Sequence, residues 1–285
     1  MASRARSRRA KTDEPGFLAT AGRAYAGAIL FSFPILMTME MWGLGASLSG
    51  FRLALFLVLS FPLLVALSYY DGFEDTTSLK DDIVDTFVAY TVGFSTSAVV
   101  LVLFNILNHR MSADELVGKI TILAVPTSLG AVLAQSLLLV DDTTESHAEA
   151  RKRSATYAGQ LFLMIAGGVF LSMSVAPTEE MYLISFIMSD WHLTAVMLFS
   201  LVVMHAFIHA VEYSGHANAL SPNEAEWSVF LRYTVVGYAM ILVVSYYILW
   251  TFGSIDGMGA YQQLKATAVL GVPAALGASA SRLIL

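Results

Sequence analysis

The chain has 285 residues, of which 56% are hydrophobic and only 13% charged, with a formal net charge of -6. Soluble domains carry roughly 25% charged residues, so apolar runs of about 20 residues with this little charge define a membrane protein. Cysteine is absent, which excludes disulfides, thiolate metal sites and cysteine nucleophiles, and no basic face outside the N-terminal tail exists to bind nucleic acid.

Residues 1–20 carry Arg4, Arg6, Arg8, Arg9 and Lys11 and read as a cytoplasmic basic tail. "SRRAK" is faintly like a twin-arginine signal, but the apolar run from Ala24 to Leu44 is too long for a signal core. Eight segments are long enough to cross ~30 Å of hydrocarbon: 24–44, 51–70, 83–106, 118–140, 156–176, 191–213, 227–252 and 262–284. Trp42, Tyr69, Tyr70, Trp191, Tyr213, Trp227, Trp250 and Tyr261 cluster near their ends, as interfacial aromatics do. The segments are continuously apolar rather than alternating, which excludes a lipid-embedded β-barrel.

Lys and Arg set the orientation. With the N-terminus in the cytoplasm, the basic tail, Arg151, Lys152 and Arg153 between spans four and five, and Arg282 all fall inside. The opposite face keeps only Arg52, Arg110, Lys119 and Lys265, at helix ends. Both termini are therefore predicted to be cytoplasmic. The acidic linker "DGFEDTTSLKDD" also falls inside.

The chain compares with itself. "YYDG" at 69–72 faces "EYSG" at 212–215, Ser78 faces Ser221, and "YTV" at 90–92 faces "YTV" at 233–235. "VPTSLGA" at 125–131 faces "VPAALGA" at 272–278, and "YAG" at 25–27 faces "YAG" at 157–159. These matches predict an all-α protein of eight transmembrane helices in two parallel four-helix repeats, 21–140 and 156–285, joined by a cytoplasmic linker at 141–155. "SLKD" and "SPNE" each offer a Ser N-cap with an acid three residues on, opening spans three and seven. The second repeat holds extra residues around "PTEEMYLISFIMSD", 177–190, which read as an interfacial piece on the external side, or else as a longer, tilted span six.

Ionisable residues inside apolar spans are the functional candidates. Glu40 lies about 15 residues into span one, after Pro34, and either faces the bundle interior or salt-bridges at the interface. By the "YAG" match its mate lies near Ser174, so it has no acidic counterpart. Met37, Met39 and Met41 are spaced by two and spread around a helix, which argues against a soft-metal site. In "HAFIHAVE", His205, His209 and Glu212 share one helix face. They span about 10 Å of axis, too much for one ion to gather all three, although His205 with His209, or His209 with Glu212, could share one. A protonatable ladder leading inward from mid-membrane suits the pKa of histidine better, and interhelical hydrogen bonding is the structural alternative. Lys119 and Lys265 are expected to snorkel outward. Pro126 and Pro273, in "VPxxLGA", sit on small-residue packing faces and, with Pro34, are candidate kinks or gates.

"GAILFSFPILMTMEMWGLG", Gly27 to Gly45, resembles the opening helix of a family of bacterial integral membrane proteins of unknown function, whose first span carries Pro-x-x-x-Thr-x-Glu-x-Trp. Pro34, Thr38, Glu40 and Trp42 match it, and the resemblance covers most of the chain from residue 20. It implies an eight-span protein of the bacterial inner membrane and carries over no site residues. The expected function is a channel or transporter for a small ion, a cation or proton. The alternative is a non-transporting scaffold or partner subunit, and a homo-oligomer or a partner membrane protein stays open. No phosphate loop, nucleophile triad or complete metal constellation is present, so neither enzymatic activity nor a cofactor is expected.

Overall fold

The computed structural model describes residues 17–71, 78–108, 110–138, 155–213 and 226–284, and no strand occurs among them. In chain order the helices are α1 (Phe17–Met37), α2 (Met39–Ser47), α3 (Gly50–Asp71), α4 (Leu79–Leu103), α5 (Ala113–Leu138), α6 (Tyr157–Val175), α7 (Glu179–Ile187) and α8 (Asp190–Tyr213). A short α9 (Glu226–Val229), a π-helical segment (Phe230–Val235) and α10 (Val236–Thr251) form one rod, and α11 (Ala260–Ile284) completes the chain. Eight helices are long and apolar enough to cross a membrane. The second N-cap, "SPNE", and the linker at 141–155, all but its last residue, lie outside the described residues. At the first cap the Asp81 carboxylate accepts from the Ser78 N–H at 3.1 Å.

The first predicted span is broken. Pro34 lacks an N–H, and four residues on Thr38 adopts an extended conformation (φ -78°, ψ 114°) with its hydroxyl donating to the Pro34 carbonyl at 2.7 Å. The chain then restarts as the nine-residue α2, and the crossing segment is Thr20–Met37. The same event recurs at Thr178 (φ -75°, ψ 142°), whose hydroxyl donates to the Val175 carbonyl before the nine-residue α7. The piece at 177–190 is thus a short helix rather than an extension of span six.

Two helices are hubs. α5 packs on α1, α4, α2 and α3, while α11 packs on α6, α8, α10 and α7. Both hubs use glycine to bring backbones together. A Cβ on Gly130 would reach the Ser32 hydroxyl and the Gly27 carbonyl, and one on Gly277 would overlap the Gly167 carbonyl. A Cβ on Gly118 would overlap the carbonyl of Gly45. α3 and α8 are the least buried spans and present Val58, Leu59, Leu198, Phe199 and Val202 outward, as lipid-facing helices do. The halves meet where α1, α3 and α5 touch α6 and where α3 touches α10. Phe31 packs edge-on to Phe170 and Phe56 edge-on to Phe252, within one continuous apolar core.

Gly27 meets Gly130 and Gly167 meets Gly277, and Thr38 and Thr178 each precede a nine-residue helix with an acid in its first turn, Glu40 and Glu180 among them.

Gly45→Ala and Gly118→Ala are each expected to lower stability in detergent by about 1–3 kcal/mol, because the added methyl has no room. Tryptophan fluorescence during thermal unfolding measures this. Gly43→Ala, whose methyl would meet nothing within 4 Å, is the control. Equal losses at all three positions would refute the close-approach account.

Candidate functional site

The sequence candidates fall in separate places. Glu40 stands in the first turn of α2, half-buried and outside the crossing segment, and makes no hydrogen bond or ion pair among the described residues. Met37 and Met39 are exposed while Met41 is fully buried, so the three thioethers do not converge. His205 lies half-buried on α8. Its Nδ1 is 3.0 Å from the Thr234 hydroxyl, and its ring meets Phe230 edge-to-face at 5.1 Å. Both partners belong to the π-helical segment. Beside them the Tyr157 hydroxyl donates to the Arg232 carbonyl at 2.7 Å, with the Arg232 guanidinium 4.7 Å from the Tyr157 ring centre. π-Helical turns are rare and cluster at functional positions. α2 packs on α5 and α1, whereas α8 packs on α11, the π segment and α10. Glu40 and His205 therefore sit on elements that do not pack together. The side chains of His209 and Glu212 lie outside the described residues. Among the described residues no three His, Asp or Glu group closely enough for a metal ion. Pro34, Pro126 and Pro273 lie inside α1, α5 and α11, each of which continues past its proline.

The two lysines do not snorkel. Lys119 is 5% and Lys265 8% exposed. Lys119 Nζ pairs with Glu115 at 2.7 Å and lies 5.7 Å from the Trp42 ring centre. Lys265 Nζ donates to the Met188 carbonyl at 2.7 Å, lies 3.7 Å from Asp190 and 4.9 Å from the Tyr261 ring centre. The reason is the overlying short helices. α2 presses on the start of α5 through Gly45, and Met188 is the C-cap of α7, so each ammonium finds its partners beneath a short helix. A cation at a helix C-terminus is favoured there.

Two carboxylates escaped the sequence reading: Asp82 closes the stretch counted as acidic linker, and Asp85 lies in the first residues of span three. Asp82 and Asp85 lie within the crossing segment Leu79–Leu103 and are 4% and 8% exposed. The available signal was their spacing, since i, i+3 and i+4 place Asp82, Asp85 and Thr86 on one face.

A third ionic feature joins the halves. Arg52 at the start of α3 grips Asp256, in the turn after α10, through two hydrogen bonds of 2.6 and 2.8 Å. The guanidinium also lies 5.0 Å from the Trp250 ring centre. Gly253 (φ 74°) turns the chain so that Asp256 can face Arg52.

Together these helices define a polytopic integral membrane protein. The chain belongs to the family described as "Putative integral membrane protein (DUF2391)", whose pattern matches residues 20–285. No curated protein and no solved structure matches it.

The hydrogen bonds from Arg52 hold the Asp256 carboxyl below its ordinary range. A carboxyl lowered in the folded state stabilises the fold above its unfolded pKa, about 3.9, and that contribution disappears as pH falls through the folded value. The Asp256 side chain is 54% exposed, which limits the contribution to about 1 kcal/mol or less. Asp256→Asn is therefore expected to be less stable than wild type at pH 7 by that amount, with the gap closing below about pH 4. Thermal unfolding of both proteins across pH checks this, and a gap that does not narrow as pH falls below about 4 would show that charge is not the cause.

Proposed function

We propose that the protein carries a small ion, a cation or proton, across the bacterial inner membrane, with both termini cytoplasmic and no enzymatic activity. One observation carries the reading: the crossing helices bury ionisable side chains, Asp82 and Asp85 on α4 and Lys119 and Lys265 on α5 and α11. A charge inside an apolar span is costly and is retained chiefly where it serves a pathway. Support also comes from the matching surroundings of the two hubs, which we read as parallel repeats about an axis along the membrane normal. The distribution of Lys and Arg supports the orientation.

The second reading, a non-transporting scaffold, is favoured by the tight backbone contacts at Gly45, Gly118, Gly167 and Gly277. These leave no passage between α5 and α2, or between α11 and α6. An ion route must therefore use another seam.

Purified protein in liposomes is expected to pass one of a panel of ions: protons, sodium, potassium, magnesium or chloride. Ion-selective dyes or electrodes record the flux under an imposed potential. Flux at the level of empty liposomes for the whole panel would refute transport and leave the scaffold reading.

A further inference from the structure

We infer that the transported ion is a proton and that it crosses along the seam between α4 and α5, entering at Asp82 and Asp85. This rests on the transport reading above and assigns it a route that no candidate from the sequence used.

The buried edge of α4, which meets α5 at Gly93 and Ser97, carries polar side chains at two levels, with Ala89 and Val92 between them. Asp82, Asp85 and Thr86 are buried at its start, and Gly93, Thr96 and Ser97 follow on the same edge. At 1.5 Å per residue, Asp85 to Ser97 covers about 18 Å, more than half of the ~30 Å hydrocarbon layer. Across the seam α5 offers Thr127 and Ser128, both fully buried. Gly93 has no side chain because the Ser128 hydroxyl occupies the place of its Cβ.

Hydrogen-bond directions suit a proton. Ser128 donates to the Ala124 carbonyl and Thr127 to the Leu123 carbonyl, each at 2.7 Å. Ser97 donates to the Thr127 hydroxyl at 3.3 Å. The Thr127 and Ser128 protons are thus spent on their own helix, leaving oxygen lone pairs able to accept a hydrogen bond. Thr96, only 3% exposed, has a buried hydroxyl with no partner among the described residues. Such a hydroxyl is satisfied when a water bridges it. A hydrated metal ion does not fit where the Ser128 hydroxyl touches Gly93, whereas a proton needs only a chain of hydrogen bonds. Asp85 takes a proton from water at the mouth and returns it to a seam water. Beyond it the proton passes from water to water, and the Thr96, Thr127 and Ser128 oxygens hold those waters by accepting hydrogen bonds, so no group is changed after passage.

The second half lacks this seam. "VPTSLGA" in α5 reads "VPAALGA" in α11, with Ala274 and Ala275 where α5 has Thr127 and Ser128. The route therefore belongs to the first half. The other titratable groups on the helices packed against α4 include Arg23 and Tyr25 of α1, Tyr69 and Tyr70 of α3, and Glu115 with Lys119 at the far end of α5. Tyr90 of α4 itself bonds to Ser60 of α3 at 2.7 Å. Asp82 and Asp85 are the buried carboxylates on this edge.

The test uses the full chain in vesicles of phosphatidylethanolamine and phosphatidylglycerol, with a trapped pH dye and a potassium diffusion potential. Wild type is expected to acidify the interior. Asp85→Asn, Thr96→Val and the double change Thr127→Ala with Ser128→Ala are each expected to slow this at least tenfold. His205→Ala and Glu40→Gln are expected to stay within twofold. Monodisperse elution and an unchanged circular dichroism spectrum establish folding. Should Asp85→Asn misfold, the near-isosteric Thr96→Val decides. Wild-type proton flux in folded Thr96→Val and in the double variant would overturn the seam and leave the transport reading standing. Sodium or potassium flux without proton flux would overturn the proton and leave transport standing. No flux of any ion would refute both.

Discussion

Contact between helix backbones at glycine is the constraint on which the rest of this structure depends. Lipid tails are as apolar as leucine, so helices in a bilayer gain little by burying apolar surface against one another. They gain by close approach, which small residues permit. Gly45 on Gly118 and Gly167 on Gly277 supply it here, and they make α5 and α11 the hubs. Once a short helix lies across the start of a hub, whatever side chain stands there is enclosed. Lys119 is buried for that reason and not through any property of lysine.

The enclosed charges are handled in two ways. Lys119 and Lys265 each meet an acid and an aromatic ring, an arrangement that spreads a charge over several weak partners. Asp82 and Asp85 stand at the start of the buried edge of α4 that carries Thr96 and Ser97 further in. The first arrangement holds α2 and α7 in place, and the second puts carboxylates rather than ammonium groups on a crossing helix.

Arg52 and Asp256 act at a different level. They tie α3 of the first half to the turn that follows α10 of the second, with Trp250 beneath the guanidinium. The aromatic pairs Phe31 with Phe170 and Phe56 with Phe252 join the same halves by packing alone. An ionic link at the rim and an apolar one within it respond differently to pH and salt, so the two contributions to the interface are separable.

Hydrophobicity and its interruptions determined the class of this protein and the number of long helices, because a run of about 20 apolar residues has few other stable settings. Composition likewise marked the difference between "VPTSLGA" and "VPAALGA". Other features needed the tertiary structure. Pro34 announced a disturbance, but whether the helix bends or stops at Thr38 depends on α5 receiving α2 through Gly118. The π segment at Phe230–Val235 has no sequence signature, since one extra residue in a turn is stabilised by what packs on it, here His205 and Tyr157. Lysine at a helix end reads as exposed, and Asp82 reads as linker with Asp85 just inside span three, because a sequence records charge but not enclosure. Enclosure is decided by which helices come together, and that is a property of the whole fold.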